Sequence, residues 1–442
     1  MRTSIFALFL LGTATQHAVA QPAPAAPAPT ADDLARAADA AADVAAMAPA
    51  DAAPAPAPEG AVKASADDID LSSLGLDSAA SSFDDKLNIY GFADVSWSAL
   101  HLARKSLILA KDSRSFAVGN LNIYLAKNLT PKARVLGEVR FTFLPNANQL
   151  ADGSYVSTLA TDVNNANRPV QWGGVVIERL YVEYDLTEHL TLRAGHWLTP
   201  YGIWNIDHGS PAIVAVSRPY IIGEQFFPEH QTGLDLFGNY YKSGYKLNYH
   251  LTASNGRGPA EAQVDQDTDV AVGARLDVET PFGIKAGASY YYGRNTGFAP
   301  SPGAAEPTYL EAAYAGDLQY DRGGLHLQAE VAARERQYED GTRAPAVAGF
   351  APDGRDFGYY VLGSYRFDRF WSVTPFAYFE HYSPQDHFLF KKADAINAGL
   401  NFRPSPGFVL KLQGLRATFP EGPGLLDGNK IYQYQAQASW VF

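Results

Sequence analysis

The 442-residue chain contains no cysteine and only two methionines, and charged residues make up just 19% of it. Without cysteine there is no disulfide framework, no thiolate metal site and no cysteine nucleophile. No HExxH pair occurs among the ten histidines, and no glycine-rich phosphate cradle precedes a helix, so neither a zinc hydrolase nor a nucleotide site is indicated. The sequence also lacks any uninterrupted apolar run of the roughly 20 residues that a membrane-spanning helix requires. What it has in surplus is 25 Tyr, 24 Phe and 38 Gly, a composition suited to strands and tight turns rather than to helical bundles.

The net charge of −12 is unevenly spread. Residues 21–85 hold twelve acids against Arg36 and Lys63, a net of −10, whereas residues 86–442 hold 35 acids and 32 bases, a net of −3. The acidity belongs to the N-terminal segment, and the nearly neutral remainder offers no electrostatic footprint for nucleic acid. Arg2, the apolar run Ile5 to Leu11 and the small residues Ala18-Val19-Ala20 form a signal-peptide pattern over residues 1–20, with cleavage expected before Gln21. Residues 21–85, rich in Ala, Pro, Asp and Ser and nearly free of aromatics, bury too little to offset chain entropy and read as a disordered acidic extension. One short helix is plausible there, Asp32 to Met47, ending before Pro49.

From residue 86 the hydrophobic pattern takes a period of two and keeps it to the end. Val135, Val139, Phe141 and Phe143 oppose Arg134, Glu138, Arg140 and Thr142; Tyr432, Tyr434, Ala436, Ala438, Trp440 and Phe442 alternate with Gln433, Gln435, Gln437 and Ser439. Sixteen such segments are expected, near 87–102, 116–127, 133–143, 175–185, 190–198, 232–239, 245–254, 269–278, 284–292, 308–320, 325–334, 356–367, 371–380, 393–402, 408–417 and 430–442. Short turns rich in Gly, Pro and Asx, such as Asn128 to Lys132, Tyr240 to Gly244 and Asp321 to Gly324, alternate with long connections. An even strand count, a greasy and a wet face on each strand, and turns that are short at one end and long at the other together predict a transmembrane antiparallel β-barrel over 86–442. Aromatics near strand ends, including Tyr240, Tyr241, Tyr245, Tyr359, Tyr360 and Trp371, fit interfacial girdles.

On these residues the chain resembles bacterial outer-membrane porins. Tyr90-Gly91-Phe92-Ala93-Asp94 is similar to the opening strand of many porins, and Phe442, on an alternating last strand, resembles the assembly signal of that class. The segment Leu192 to Gly202 (LRAGHWLTPYG) is similar to the GR-x-x-x-P-[FY]-G pattern of phosphate-selective porins, with His196 where that family usually has Arg. The resemblance implies an outer-membrane location with the N-terminal extension in the periplasm, a homotrimer, insertion by barrel-assembly machinery and periplasmic chaperones, and contact with outer-membrane lipid and lipopolysaccharide. It would also imply lysines near the constriction; residues 199–231 contain none, so phosphate selectivity is not carried over.

A ring of sixteen strands leaves room for an aqueous lumen. The third long connection, Thr199 to Gln231, is unusually apolar (Trp204, Ile213, Val214, Tyr220, Ile221, Phe226 and Phe227) and must pack on something. Folded into the lumen, it would form the constriction and present Asp207, His208, Arg218, Glu224, Glu229 and His230; the alternative is a loop over the barrel mouth or at a subunit contact. Parity places Arg134, Glu138, Arg140, Arg179, Glu183 and Arg193 on the wet wall, four bases against two acids, which could set a transverse field or simply pair across strands. Asp207-His208-Gly209-Ser210 brings acid, base and hydroxyl together, but contiguous residues cannot converge as a catalytic triad. Asp265, Asp267 and Asp269 alternate as in a calcium loop but lack its glycine and bidentate glutamate. The expectation is a passive diffusion channel for small hydrophilic solutes, non-enzymatic and without cofactor or metal. A barrel phospholipase or protease, and a structural barrel anchoring the tail, are the alternatives.

Overall fold

The computed structural model describes residues 86–105, 112–142, 147–149, 155–157, 174–206, 209–223, 225–257, 268–296, 308–338, 353–369, 371–384 and 390–442. The segments expected to be a signal peptide (1–20) and a disordered acidic extension (21–85), with the short helix expected at 32–47, lie outside these residues. In chain order the strands are β1 (Asn88–Leu102), β2 (Asp112–Thr130), β3 (Ala133–Thr142), β4 (Ala147–Gln149), β5 (Tyr155–Ser157), β6 (Gly174–Thr187), β7 (Leu190–Leu198), β8 (His230–Lys242) and β9 (Tyr245–Ser254). They continue as β10 (Ala271–Glu279), β11 (Ile284–Thr296), β12 (Thr308–Arg322), β13 (Leu325–Tyr338), β14 (Gly354–Tyr365), β15 (Thr374–Ser383), β16 (Ala393–Ser405), β17 (Phe408–Thr418) and β18 (Lys430–Val441). A single helical turn, α1 (Tyr220–Gly223), interrupts the β7–β8 connection.

All but β4 and β5 join one closed antiparallel barrel of sixteen strands, in which each strand pairs with its sequence neighbours and β1 pairs with β18. Every segment expected from the alternation is present. Several strands run further at the long-loop end: β2 begins at Asp112 rather than 116, and β11 and β13 extend to Thr296 and Tyr338 rather than 292 and 334. Polar cross-strand pairs hold these extensions, including Arg294 with Asp269 and Arg355 with Glu335. The β4–β5 ribbon, within the β3–β6 connection, carries no period-two signal long enough to read from sequence.

Burial is inverted relative to a soluble domain. Glu138, Asp235, Asp317, Glu330, Asp356, Glu380, Asn397 and Lys411 are buried, while Leu180, Val361, Ile396, Leu412 and Tyr434 are exposed. Closing the sheet satisfies every ladder hydrogen bond without a free edge, and turning the apolar parity outward suits a hydrocarbon surround. Exposed aromatics gather at the short-turn end: Tyr240, Tyr241, Tyr245, Phe282, Tyr365, Phe367, Trp371 and Phe442. That is the depth at which an interfacial girdle lies.

Within the LRAGHWLTPYG segment, two glycines explain themselves. Gly195 has φ +136°, and a Cβ there would fall 2.3 Å from the Leu180 carbonyl oxygen on β6. Gly202, at φ +71°, would place a Cβ 2.2 Å from Glu330 Oε1 on β13. One lets β7 press on β6, and the other lets the chain leaving β7 touch the wall opposite. Gly195→Ala is expected to lower barrel stability by about 1–3 kcal/mol through backbone strain, read as an earlier urea midpoint in refolding.

Candidate functional site: an internal loop and a charged wall

The β7–β8 connection begins with a clasp. Thr199 N–H donates to Glu229 O at 3.0 Å, Thr199 Oγ1 to Pro228 O at 2.6 Å, and Asn205 Nδ2 to Thr199 O and Glu229 O at 2.9 and 3.2 Å. From this neck the loop contacts strands far around the ring. Tyr201 hydroxyl meets Thr252 Oγ1 of β9 at 2.6 Å, and Gly202 N–H donates to Ser289 Oγ of β11 at 3.1 Å. Burial raises the Tyr201 pKa well above the usual tyrosine range, against the opposing pull of the Thr252 bond. Trp204 meets the Tyr360 ring of β14 edge-on, with centroids 6.3 Å apart. A Cβ at Gly209 would sit 3.4 Å from the Phe92 ring of β1. In the ring order β1 and β11 stand eight places apart among sixteen, diametrically opposite. A segment that touches both within Gly202 to Gly209 cannot pass outside the barrel; it crosses the interior.

Beyond the crossing, buried side chains of the wall hold the loop's backbone. Lys411 Nζ on β17 donates to Ser210 O at 2.5 Å and Ala215 O at 2.9 Å. Gln413 Oε1 accepts from Val216 N–H at 2.7 Å, while its amide donates to Ser217 Oγ. Ser217 Oγ also meets Tyr378 hydroxyl of β15 at 2.9 Å, and Glu380 Oε2 accepts from the first N–H of α1, Tyr220, at 2.6 Å. Asn401 and Arg403 of β16 donate to Val214 O and Pro211 O at 3.2 and 2.7 Å. Arg257, after β9, and Arg334 of β13 both donate to Gln225 O at 2.9 Å. The loop's apolar residues Ile221, Phe226 and Phe227 join the same buried cluster as Tyr378 and Tyr382. The carbonyls of the buried Ser210 and Ala215 would otherwise lack the Lys411 donor.

These contacts fall on the arc from β9 around to β1. The arc through β2, β3, β6, β7 and β8 carries the charged residues expected from parity, and there they form a ladder of three paired clusters. Arg179 pairs with Glu138 at 2.7 Å, and Asn122 donates to the same carboxylate at 2.6 Å. Arg134 pairs with Glu183 at 2.5 Å and Asp185 at 2.9 Å. Arg193 bridges Glu183 at 2.7 Å and Asp235 at 3.0 Å, its guanidinium lying over the rings of Tyr181 and Phe237 at 4.6 and 4.5 Å. His250 Nδ1 meets Asp235 at 3.2 Å. Toward the long loops, Arg140 pairs with Glu178 at 2.8 Å, and His230 Nε2 meets the other oxygen of Glu178 at 2.6 Å.

All six wall residues expected from sequence therefore stand on one arc, in three clusters of paired charges, and each arginine has a carboxylate partner. Three further acids belong to these clusters and were not expected: Glu178, Asp185 and Asp235. Glu178 is the extra residue of a β-bulge, since the register passes from Glu138 opposite Arg179 to Val139 opposite Ile177. The adjacent charges Glu178 and Arg179, in an otherwise alternating strand, were the signal for it. Of the loop residues expected to face solute, Asp207, His208 and Glu224 lie outside the described residues. Arg218 and Glu229 pair with each other at 2.9 Å, and His230 stacks on His196 with centroids 5.3 Å apart. Asp265 and Asp267 also lie outside the described residues. Among the described residues no group of three or more His, Asp or Glu is set to hold a metal ion.

No protein-family model matches the chain, and no curated protein matches it. Solved structures do. The anion-selective porin of Comamonas acidovorans aligns with a TM-score of 0.52 at 10% identity, over 81% of this chain and 100% of that one. OmpT, an outer membrane protein of Vibrio cholerae in its trimer form, aligns at 0.50 and 9%, over 80% and 99%. Salmonella typhi OmpF in complex with daunomycin aligns at 0.50 and 12%, over 81% and 98%. At these identities the likeness is one of fold: the chain has the closed sixteen-strand barrel of outer-membrane porins.

Proposed function

We propose that the protein is an outer-membrane diffusion channel for small hydrophilic solutes, narrowed by its third long loop. The observation that carries this reading is the path of the loop between Thr199 and Gln231, whose described residues reach across the barrel interior from β11 to β1 and are held along the arc from β9 to β1. A solute would move between loop and ladder, past Arg134, Glu138, Arg140, Arg179, Glu183 and Arg193, with His230 beside them on Glu178, on one side and Arg218 and Glu229 on the other. The passage is a fixed one. Size is limited by the loop, charge preference is set by the wall, and no bond is made or broken. With short turns on the periplasmic side, residues 21–85 would extend from the start of β1 into the periplasm after removal of residues 1–20. Assembly as a homotrimer, handling by periplasmic chaperones and barrel-assembly machinery through Phe442, and contact with lipopolysaccharide belong to the same proposal.

Refolded protein added to a planar bilayer under a salt gradient is expected to give discrete conductance steps with a measurable reversal potential. Folded barrels that insert yet carry no current would remove the channel reading. The same measurement on protein lacking residues 21–82 is expected to give the same steps, whereas a barrel serving only to anchor the tail would have no conductance to preserve.

A further inference from the structure

The outer surface of the barrel holds a concavity that the passage does not use. At the short-turn end, Tyr240, Lys242, Ser243, Tyr245, Leu247 and Val278 line a depression of about 370 Å³ between β8, β9 and β10. Residues 240, 242, 245, 247 and 278 share the outward parity of the exposed Leu234, Leu251 and Leu276. The turn below is tight: Ser243 and Gly244 have φ +53° and +83°, and a Cβ on Gly244 would come within 3.3 Å of Pro281, so neighbouring turns close the lower end. Leu251 and Leu276 continue the apolar track toward the middle of the membrane. Lys242 is exposed at the rim and, among the described residues, has no acidic partner. Lys246 and Lys285 nearby are already engaged with Glu279, at 3.7 and 3.4 Å.

An apolar slot opening sideways into lipid, roofed by tyrosines at girdle depth and ending in one unneutralised cation, is complementary to a single amphiphile: an acyl chain along the slot and a negative headgroup at its rim. We propose that this depression is a binding site for one anionic phospholipid of the periplasmic leaflet, its phosphate on Lys242 and an acyl chain along Tyr245, Leu247 and Val278. The site rests on the barrel spanning a bilayer and not on its conducting, so it stands or falls separately from the channel.

Native mass spectrometry of the full chain refolded in a neutral detergent, with phosphatidylglycerol or phosphatidylcholine of identical acyl chains as probe, tests the site. The expected result is one retained lipid, with phosphatidylglycerol favoured about fivefold, the effect of one lysine beside an anionic headgroup. Lys242→Gln should abolish the preference while keeping lipid retention, and Leu247→Trp or Val278→Trp should fill the slot and lose both lipids. Equal retention of the two lipids by the native protein, or retention by the slot-filled variants matching native, overturns the proposal. Folding of each variant is checked by its heat-dependent electrophoretic mobility. Should the tryptophan variants fail to fold, a phosphatidylglycerol preference that persists in Lys242→Gln overturns it just as well.

Discussion

Replacing Lys411 with Met is expected to raise single-channel conductance and to make the open level noisy, with the barrel itself intact. The thioether side chain keeps the buried apolar stem and removes only the ammonium, which donates to Ser210 O and Ala215 O. Both carbonyls would then be buried without a donor, a cost of about 1–3 kcal/mol each, or about 2–6 kcal/mol against the docked loop. Every 1.4 kcal/mol is a tenfold change in an equilibrium, so detachment of this stretch would become a populated state. The neck at Thr199, Asn205 and Glu229 and the anchor of Tyr201 on Thr252 are untouched, so the release is confined to the far half of the loop. Circular dichroism and heat-dependent mobility verify the barrel, and single-channel recording reads the current. An intact barrel with native conductance and native noise would mean that the loop does not narrow the passage.

Glu183→Gln should move the reversal potential toward anions. Glu183 is buried between Arg134 and Arg193 and, among the described residues, is the only carboxylate that both arginines share. The ladder holds four arginines and five acids, so removing one negative charge takes its balance from slightly acidic to neutral. A unit charge acts on an ion a few ångströms away with about 1 kcal/mol in a watery passage, which corresponds to a change of about two- to fivefold in the anion-to-cation permeability ratio. Asp235, which pairs with Arg193 and His250, should give a shift of the same sign as Asp235→Asn. Arg193→Gln should shift it the other way and also lose stability, since Glu183, Asp235 and the rings of Tyr181 and Phe237 all pack on that guanidinium. Salt-gradient bilayer recordings check all three. If none moves the reversal potential, permeating ions do not pass this wall.

The sixteen strands were legible because closure imposes one rule on every residue: apolar outward, polar inward. That rule is local, repeats every second position, and survives without knowledge of any partner. It also placed Arg134, Glu138, Arg140, Arg179, Glu183 and Arg193 on one surface. Carrying the same parity one step past Glu183 reaches Asp185, and starting β8 at His230 instead of 232 leaves Asp235 facing Arg193. Glu178 was harder, because a bulge breaks the phase on which the reading depends. The loop's anchors were not legible at all. Lys411, Gln413, Glu380 and Asn401 reach backbone carbonyls and amides some 160 to 200 positions earlier. A main-chain carbonyl has no sequence signature, and on their own strands these side chains look like ordinary members of the wet face.

The pairing of β1 with β18 has a consequence for how such a chain can be made. Phe92 is matched with Val441, and Gly91 exchanges two backbone hydrogen bonds with Phe442, so the two strands of the barrel furthest apart in sequence complete the same seam. Until that seam closes, the sheet exposes two margins of unsatisfied amides. A chain without β18 would not give a smaller cylinder but an unzipped one, open to pairing with any neighbour.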